Sequence, residues 1–334
     1  MSRSPVSIHA TGFCYTRFMR TVNIEEYGEP EVLKIKNIPK PTIRSGDILV
    51  RIKATAVTAA DSRIRGARFP KGFGFLAKLV FGITKPRIKI LGSTYSGIVE
   101  QVGKNVSQFH VGDEVCGMTG VQMGTYAEYI RISKYKSIAF KPNGVAHEDA
   151  AGLLFGGTAA LYFVRDKLGV KKGETVVING ASGAVGTNAI QLAKYYGAKV
   201  TGVTSSKNST LVERLGAEDI IDYAKQDLVS AGKKFDVVLD TVGNISPQAA
   251  KTLLTKKGRA GLMVGTLWEG MVARGQVMTG TATEKKEDIE FLLELTEQGK
   301  IKVVIDKIYE LDDIVAAHRY TDSGSKVGNV IVRM

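Results

Sequence analysis

Hydrophobic and polar positions change their period part-way along the chain. From Met19 to about Phe140 they fall in short alternating runs. Asp47-Ile-Leu-Val-Arg-Ile-Lys53 repeats with period two, and Ser96-Gly-Ile-Val-Glu-Gln-Val102 reads similarly. Gly-Asp and Asn-Gly steps at 46–47, 112–113 and 143–144 punctuate many short strands, predicting a mainly β half. The stretch 63–89, with Phe69, Phe73, Phe75 and Phe81, reads as a long loop with one short helix near 74–81. From about 145 the pattern alternates instead. The buried-type strand 174–179 precedes a helical stripe over 184–196. Strand 199–204, helix 208–215, strand 219–222, strand 235–240, helix 246–255 and strand 259–264 follow. Such alternation predicts a parallel, doubly wound sheet. The tail is mixed, with helices near 286–298 and 312–320 and strands near 301–305 and 327–333.

At 334 residues and 44% apolar composition, the chain is long enough for two cored domains. No apolar run approaches the roughly 20 residues of a membrane-spanning helix. The net charge of +13 is uneven. Segment 62–89 holds eight basic residues and no acid, and residues 1–18 add Arg3 and Arg17, together ten of the thirteen. Such a segment could meet a nucleic acid, an anionic lipid surface or a phosphorylated ligand, but no RNA-reading module accompanies it. Residues 1–18 lack a secretory signal and read as a flexible extension. Cys14 and Cys116 are too few for a disulfide framework or a four-cysteine zinc site, which suits a reducing, cytoplasmic setting. His9, His110, His147 and His318 lack ligand spacing and read as surface or packing residues.

The strongest local signal is Asn179-Gly-Ala-Ser-Gly-Ala-Val-Gly186, between a predicted strand and a predicted helix. Gly180, Gly183 and Gly186 allow a tight turn, close approach of a diphosphate and close helix–strand packing. The helix N-terminus offers free N–H groups and positive dipole to phosphates. Candidate contacts along the turn are Gly180, Ala181, Ser182, Gly183, Ala184, Val185 and Gly186. Some 20 residues on, NAD sites usually place an acid on the ribose. This chain has Thr204-Ser-Ser-Lys-Asn208 instead, so Ser205, Ser206 and Lys207 point to the 2′-phosphate of NADPH. The same residues could simply cap the next helix. The spacing Gly-Ala-Ser-Gly does not match the five-residue elbow of a serine hydrolase.

These residues, with others, resemble the medium-chain dehydrogenase/reductase superfamily, in its zinc-independent quinone-oxidoreductase-like branch. The resemblance runs from about residue 20 to 334. It rests on Tyr27-Gly-Glu-Pro30 with Leu33, Gly112-Asp-Glu-Val115, Gly124-Thr-Tyr-Ala-Glu-Tyr129 and 150–159. It continues through the glycine-rich turn, 215–223, Asp240-Thr-Val-Gly243, Ala317-His-Arg319 and Gly328-Asn-Val330. It implies an α/β protein: a GroES-like β-barrel catalytic domain from 19–140 and 284–334, with a Rossmann NADP(H)-binding domain, 141–283, inserted. It also implies roles at the cofactor for Thr158, Tyr223, Gly243, Val264, Gly265 and Asn329, and a homodimer through the cofactor-domain sheet edge, for which 259–266 is the candidate strand.

Zinc-dependent members hold their metal through an early Cys and a Gly-His-Glu step. The matching places here read Ala56-Val-Thr-Ala-Ala-Asp61 and Leu91-Gly-Ser-Thr-Tyr95, so no metal is expected. Without that Lewis acid, hydride transfer to an electron-poor small molecule, a quinone or α,β-unsaturated carbonyl, is the favoured chemistry. Thr58, Asp61 and Tyr95 are the candidate catalytic residues, Asp61 equally readable as a structural carboxylate. The alternatives are a zinc-free NADP-dependent alcohol dehydrogenase or carbonyl reductase, and a low-turnover dinucleotide-binding protein that binds membrane or RNA. A weak membrane-surface contact through 69–89 is a further expectation.

Overall fold

The computed structural model describes residues 17–69, 72, 74–133, 137–263 and 275–334, with backbone alone at 75 and 76. Expectations attached to Arg3, His9, Cys14, Lys71, Phe73, Val264 and Gly265, and to the Phe75 side chain, lie outside the described residues.

The β-rich half begins with β1 (Phe18–Asn23) and β2 (Lys34–Pro39), an antiparallel pair. Phe18 faces Pro39, and the Arg17 carbonyl accepts from the Lys40 N–H at 3.0 Å. The described end of the expected extension therefore belongs to this sheet. The main catalytic-domain sheet has seven strands. It contains β3 (Asp47–Val57), β4 (Thr94–Val102), β5 (Glu114–Met118), β6 (Tyr129–Ser133), β7 (Ile138–Phe140), β14 (Ile305–Glu310) and β15 (Asn329–Arg333). The pairing path runs β14-β15-β3-β4-β5-β7, with β6 also on β3. Length makes β3 the spine: residues 47–51 pair with β6, while 54–57 pair with β15.

The period-two pattern explains the core here. Ile48, Val50 and Ile52 point together into a cluster with Val99, Phe109, Val115, Ile130 and Ile138. Each such burial is worth about 1.5–3 kcal/mol before entropy is charged. Between β3 and β4 lie α1 (Ala59–Arg65) and α2 (Gly74–Phe81), the latter where the sequence predicts it. Three of the seven described basic residues of the loop are held by specific bonds. Arg65 is fully buried, bonding Asp322 and the Gly28 carbonyl. Arg68 also reaches Asp322, at 2.9 Å, and Arg87 caps the Leu79 carbonyl at 3.1 Å. Exposed Leu79, Val80 and Ile83 adjoin these residues, and Lys85 and Lys89 act on Glu25.

The long α3 (His147–Leu161), extended by a wider π turn at Tyr162–Lys167, leads into the second domain. Its strands are β8 (Thr175–Asn179), β9 (Lys199–Thr204), β10 (Asp219–Asp222), β11 (Phe235–Asp240), β12 (Leu254–Leu262) and β13 (Val277–Thr279). The helices between them include α4 (Ala184–Tyr195), α5 (Ser209–Arg214) and α6 (Pro247–Thr252). All pairings are parallel, in the order β10-β9-β8-β11-β12-β13. That is the doubly wound order, reversing direction between β8 and β11, where such sheets bind ligands. Strand 259–262 is not an edge: β12 lies between β11 and β13, and β13 is the outermost strand on that side among the described residues. The chain returns through α7 (Lys286–Glu297) and α8 (Ile314–Asp322) to complete the first sheet with β14 and β15.

Candidate cofactor site at the switch point

The glycine-rich turn connects β8 to α4 at that reversal. Gly180 has φ +80°, and a Cβ there would stand 2.5 Å from the Thr241 hydroxyl. At Gly186 a Cβ would lie 2.1 Å from the Gly180 carbonyl, so this glycine lets α4 sit against the turn. Gly183 differs. It has an ordinary φ of −77°, and its Cβ would meet only the Gly180 carbonyl, at 3.4 Å. The space it keeps open is above the turn, where a diphosphate would approach. Gly183 caps α4 without a side chain, and the first turn holds no acid. The amides of Val185 and Gly186 have no acceptor within the helix, as at any helix start, while that of Ala184 faces the Gly328 carbonyl across an isolated parallel pair. The turn therefore fits a dinucleotide diphosphate.

Asn179 and Asp240 brace the floor. Asn179 Nδ2 donates to Asp240 Oδ1 at 2.9 Å and to Asn244 Oδ1 at 2.6 Å. Asp240, fully buried, accepts from the backbone N–H groups of Val242, Gly243 and Ile245. Exposed Gly243, φ +89°, thus gets its conformation from the end of β11. Neither bracing residue is among the sequence candidates. Their signal is their position at the C-terminal ends of the two strands flanking the reversal.

At the end of β9, Ser182 Oγ accepts from Thr204 Oγ1 at 3.0 Å and Asn208 Nδ2 at 3.2 Å. Ser205 is partly buried, with a sealed hydroxyl that has no partner, whereas Ser206 and Lys207 are exposed. Tyr223 is 62% exposed just beyond β10. One acid enters from the neighbouring strand: Ser206 Oγ donates to Asp222 Oδ2 at 2.6 Å. That hydrogen bond and one from Ala224 N–H hold the Asp222 carboxyl below its usual range. A scan of 204–208 alone misses it.

Thr158 and Asn329 are buried and spend their polar groups locally. Thr158 Oγ1 donates to the Leu154 carbonyl at 2.7 Å, and Asn329 Nδ2 to the Val304 carbonyl at 3.0 Å. Ala181 is wholly buried, and Val185 packs partly buried against the core beside α4.

The three catalytic candidates are closed off. Thr58 caps α1, and its Oγ1 donates to Asp61 Oδ2 at 2.6 Å while accepting from the Asp61 N–H at 3.3 Å. Asp61 is fully buried and also accepts from Thr58 N–H at 2.8 Å and Gly92 N–H at 3.1 Å. Its burial pushes the carboxyl up, against the pull of those bonds. Tyr95 points into the β3–β7 core, fully buried, its hydroxyl unpartnered against Gly117. Asp61 and Tyr95 are shut off from solvent, and Thr58 spends its hydroxyl proton on Asp61. The structural reading of Asp61 fits, and the readings of Thr58 and Tyr95 as oxyanion donors do not.

The histidines sort as packing and surface residues where described. His110 is exposed, and His318 is sealed edge-on against Tyr126 with both ring nitrogens unpartnered. His147 completes a chain that looks like a hydrolytic triad, with Ser96 Oγ to Nδ1 at 2.7 Å and Nε2 to Glu114 Oε1 at 3.3 Å. Ser96 is fully buried within β4, so no acyl group can reach it. The chain ties the start of α3 to β4 and β5. Among the described residues, no three His, Cys, Asp or Glu side chains converge as a metal site.

Two family profiles match: an alcohol dehydrogenase GroES-like domain over residues 44–143, and a zinc-binding dehydrogenase domain over 215–332. A 2-methylene-furan-3-one reductase of Solanum lycopersicum is 31% identical over 326 residues, covering 94% of this chain and 79% of that protein. The chain belongs to the medium-chain dehydrogenase/reductase superfamily, in its quinone-oxidoreductase-like branch. A quinone oxidoreductase of Pseudomonas aeruginosa is 26% identical over 94% of this chain and 99% of its own. The solved quinone oxidoreductase of Coxiella burnetii superposes with a TM-score of 0.85 at 28% identity, covering 95% and 99% of the two chains. The second profile is named for zinc, yet the segment it matches contains a single histidine, His318, and no cysteine. The protein is an oxidoreductase of this superfamily, built for a nicotinamide cofactor. No helix among the described residues is long and apolar enough to cross a membrane.

Proposed function

We propose that this enzyme transfers hydride from NADPH to a quinone or an α,β-unsaturated carbonyl, without zinc. The observation that carries the cofactor choice is the end of β9. It offers exposed Lys207, with Ser206 beside it, to a 2′-phosphate and has no acid on its own strand, whereas the sealed Ser205 hydroxyl stays out of reach. When bound, the nicotinamide supplies a hydride, and conjugate acceptors take it without a strong Lewis acid. The residues of this chain bind and orient. The amides of Val185 and Gly186 and the open space over Gly183 seat the diphosphate, and Asn179 with Asp240 hold the turn rigid beneath it. With Asp61 and Tyr95 buried and the Thr58 hydroxyl bonded to Asp61, the proton that balances the hydride is assigned to solvent. The names of the relatives, a furanone reductase and quinone oxidoreductases, support the same substrate class.

A spectrophotometric screen of NADPH oxidation against quinones, enones and saturated aldehydes tests the reading. Turnover with quinones or enones is expected. Activity confined to saturated aldehydes or alcohols would replace it with a carbonyl reductase or alcohol dehydrogenase. One zinc per purified chain would overturn the metal-free part. Burial pushes the Cys116 thiol up to about 12 and leaves it unreactive; the cytoplasmic setting is proposed from the low cysteine count alone. A homodimer through the β13 edge completes the proposal.

A further inference from the structure

The loop from α8 into β15 reaches the cofactor domain at the glycine-rich turn. Gly328 bridges Gly183 as an isolated parallel pair, and its N–H donates to the Ser182 carbonyl at 2.8 Å. Gly324 and Gly328, with φ of +69° and +61°, make the bend possible, and a Cβ at Gly328 would stand 2.3 Å from the Val304 carbonyl. Lys326 rides on this bend. Its Nζ donates to the Gly328 carbonyl at 2.8 Å, which holds an ammonium one carbonyl away from the middle of the turn. Asp306 acts on it from β14 but is already engaged, accepting from Tyr320 Oη and from Val327 N–H, both at 2.7 Å. Among the described residues no carboxylate pairs with Lys326.

For the protein alone this is a poor place for a cation. The start of α4 carries partial positive charge, with no acid in its first turn and no capping side chain. A second positive group beside it is repelled. Partial burial adds to the cost and pulls the Lys326 ammonium down to about 8. An anion seated between the ammonium and the helix end relieves both penalties. The long lysine stem lets Nζ leave the Gly328 carbonyl and reach it.

We propose that Lys326 is a cofactor-binding residue contributed by the catalytic domain, closing on the dinucleotide diphosphate from the side opposite the turn amides. The inference rests on the cofactor reading above. It makes a prediction that the 2′-phosphate residues do not share. Both NADPH and NADH carry the diphosphate, so removing the charge weakens both alike.

Fluorescence titration of the full-length protein with NADPH and with NADH tests it in the wild type, Lys326→Gln and Lys326→Arg. In Lys326→Gln, both nucleotides are expected to bind about tenfold more weakly, as for loss of one charged hydrogen bond. Lys326→Arg restores most of that affinity, and thermal melting without nucleotide is the same for all three. Among the described residues Asp306 of β14 is the titratable group that acts on Lys326, with Tyr320 of α8 bonded to it and Lys307 of β14 over the Tyr320 ring, and the glycine-rich turn itself carries no titratable side chain. Wild-type affinity should therefore fall as pH rises past about 8, while that of Lys326→Arg stays level. Unchanged binding in Lys326→Gln overturns the role of Lys326 and leaves the cofactor reading standing. A loss confined to NADPH moves the residue to the 2′-phosphate and overturns the diphosphate assignment. A lower melting temperature with equal affinities shows a lysine that only ties the bend. A wild type that binds neither nucleotide removes the cofactor reading itself.

Discussion

Lys207 and Asp222 set opposing charges around Ser206. Lys207 is free to meet a 2′-phosphate, whereas Asp222 repels one and holds the serine proton. Lys207→Ala should weaken NADPH about fivefold and leave NADH unchanged, the scale of one exposed ion pair. Asp222→Asn should act the other way, tightening NADPH several-fold by fluorescence titration. Equal affinities of the wild type for the two nucleotides would remove the argument for a phosphate site here. The serines and the lysine are legible in the sequence because they are consecutive. Asp222 is not, because it belongs to the next strand and meets Ser206 only through the register of β10 on β9. The face of a strand is equally hidden: Tyr95 reads as a cleft residue, and the pleat turns it into the core.

The buried strands β8, β9 and β11 and the helix α4 are readable to within a residue or two, since each is a single run with one period and a sharp turn at its end. Others are not, and the helices α1 and α3 have no counterpart in the sequence pattern. The helix expected over 246–255 stops at Thr252, and Leu254 already belongs to β12, because two buried leucines serve a helix stripe and a strand equally well. The strand expected at 301–305 runs instead from Ile305 to Glu310. Ile301 is buried as a loop residue, and the strand itself carries exposed charge. The glycines of the turn divide by mechanism. Gly186→Ala should cost at least about 2 kcal/mol in urea denaturation, because its Cβ has no room. Gly183→Ala should fold with near-wild-type stability and still lose nucleotide affinity, because its Cβ fills only the approach path. A Gly183→Ala variant that binds NADPH normally would sink the cradle. At α1, Asp61→Ala removes the reciprocal half of the Thr58 cap and leaves the Thr58 and Gly92 amides unpaired, which should cost about 3 kcal/mol with little change in kcat once folded. A large loss of kcat at full stability would return Asp61 to the chemistry.

Across the whole molecule, buried basic and imidazole groups join the start of the chain to its end. Arg65 of α1 meets Asp322 of α8, and His318 of α8 lies against Tyr126. Burial, helped by Arg65, pulls His318 down to about 3 from an ordinary value of 6.5. The unfolded chain therefore takes up a proton below about pH 6.5 that the folded one refuses until about pH 3. Stability should fall through that window by up to about 1.4 kcal/mol per pH unit from this residue. Urea denaturation across the window should show a shallower fall in His318→Phe, and parallel curves would place the acid sensitivity elsewhere. The +13 charge changes meaning on the same scale, since three of the eight basic residues in 62–89 are spent on Asp322 or on capping a helix.

The position of β15 between β14 and β3 has a consequence for synthesis. A ribosome finishes the inserted domain while the sheet that began at residue 47 still lacks an interior strand. That gap is filled only by residues 329–333. Until then, β3 exposes the backbone edge that β15 will cover, an invitation to pair with the wrong chain. A premature stop codon near the end thus removes a middle strand rather than a frayed tail, and the domain that starts first is completed last.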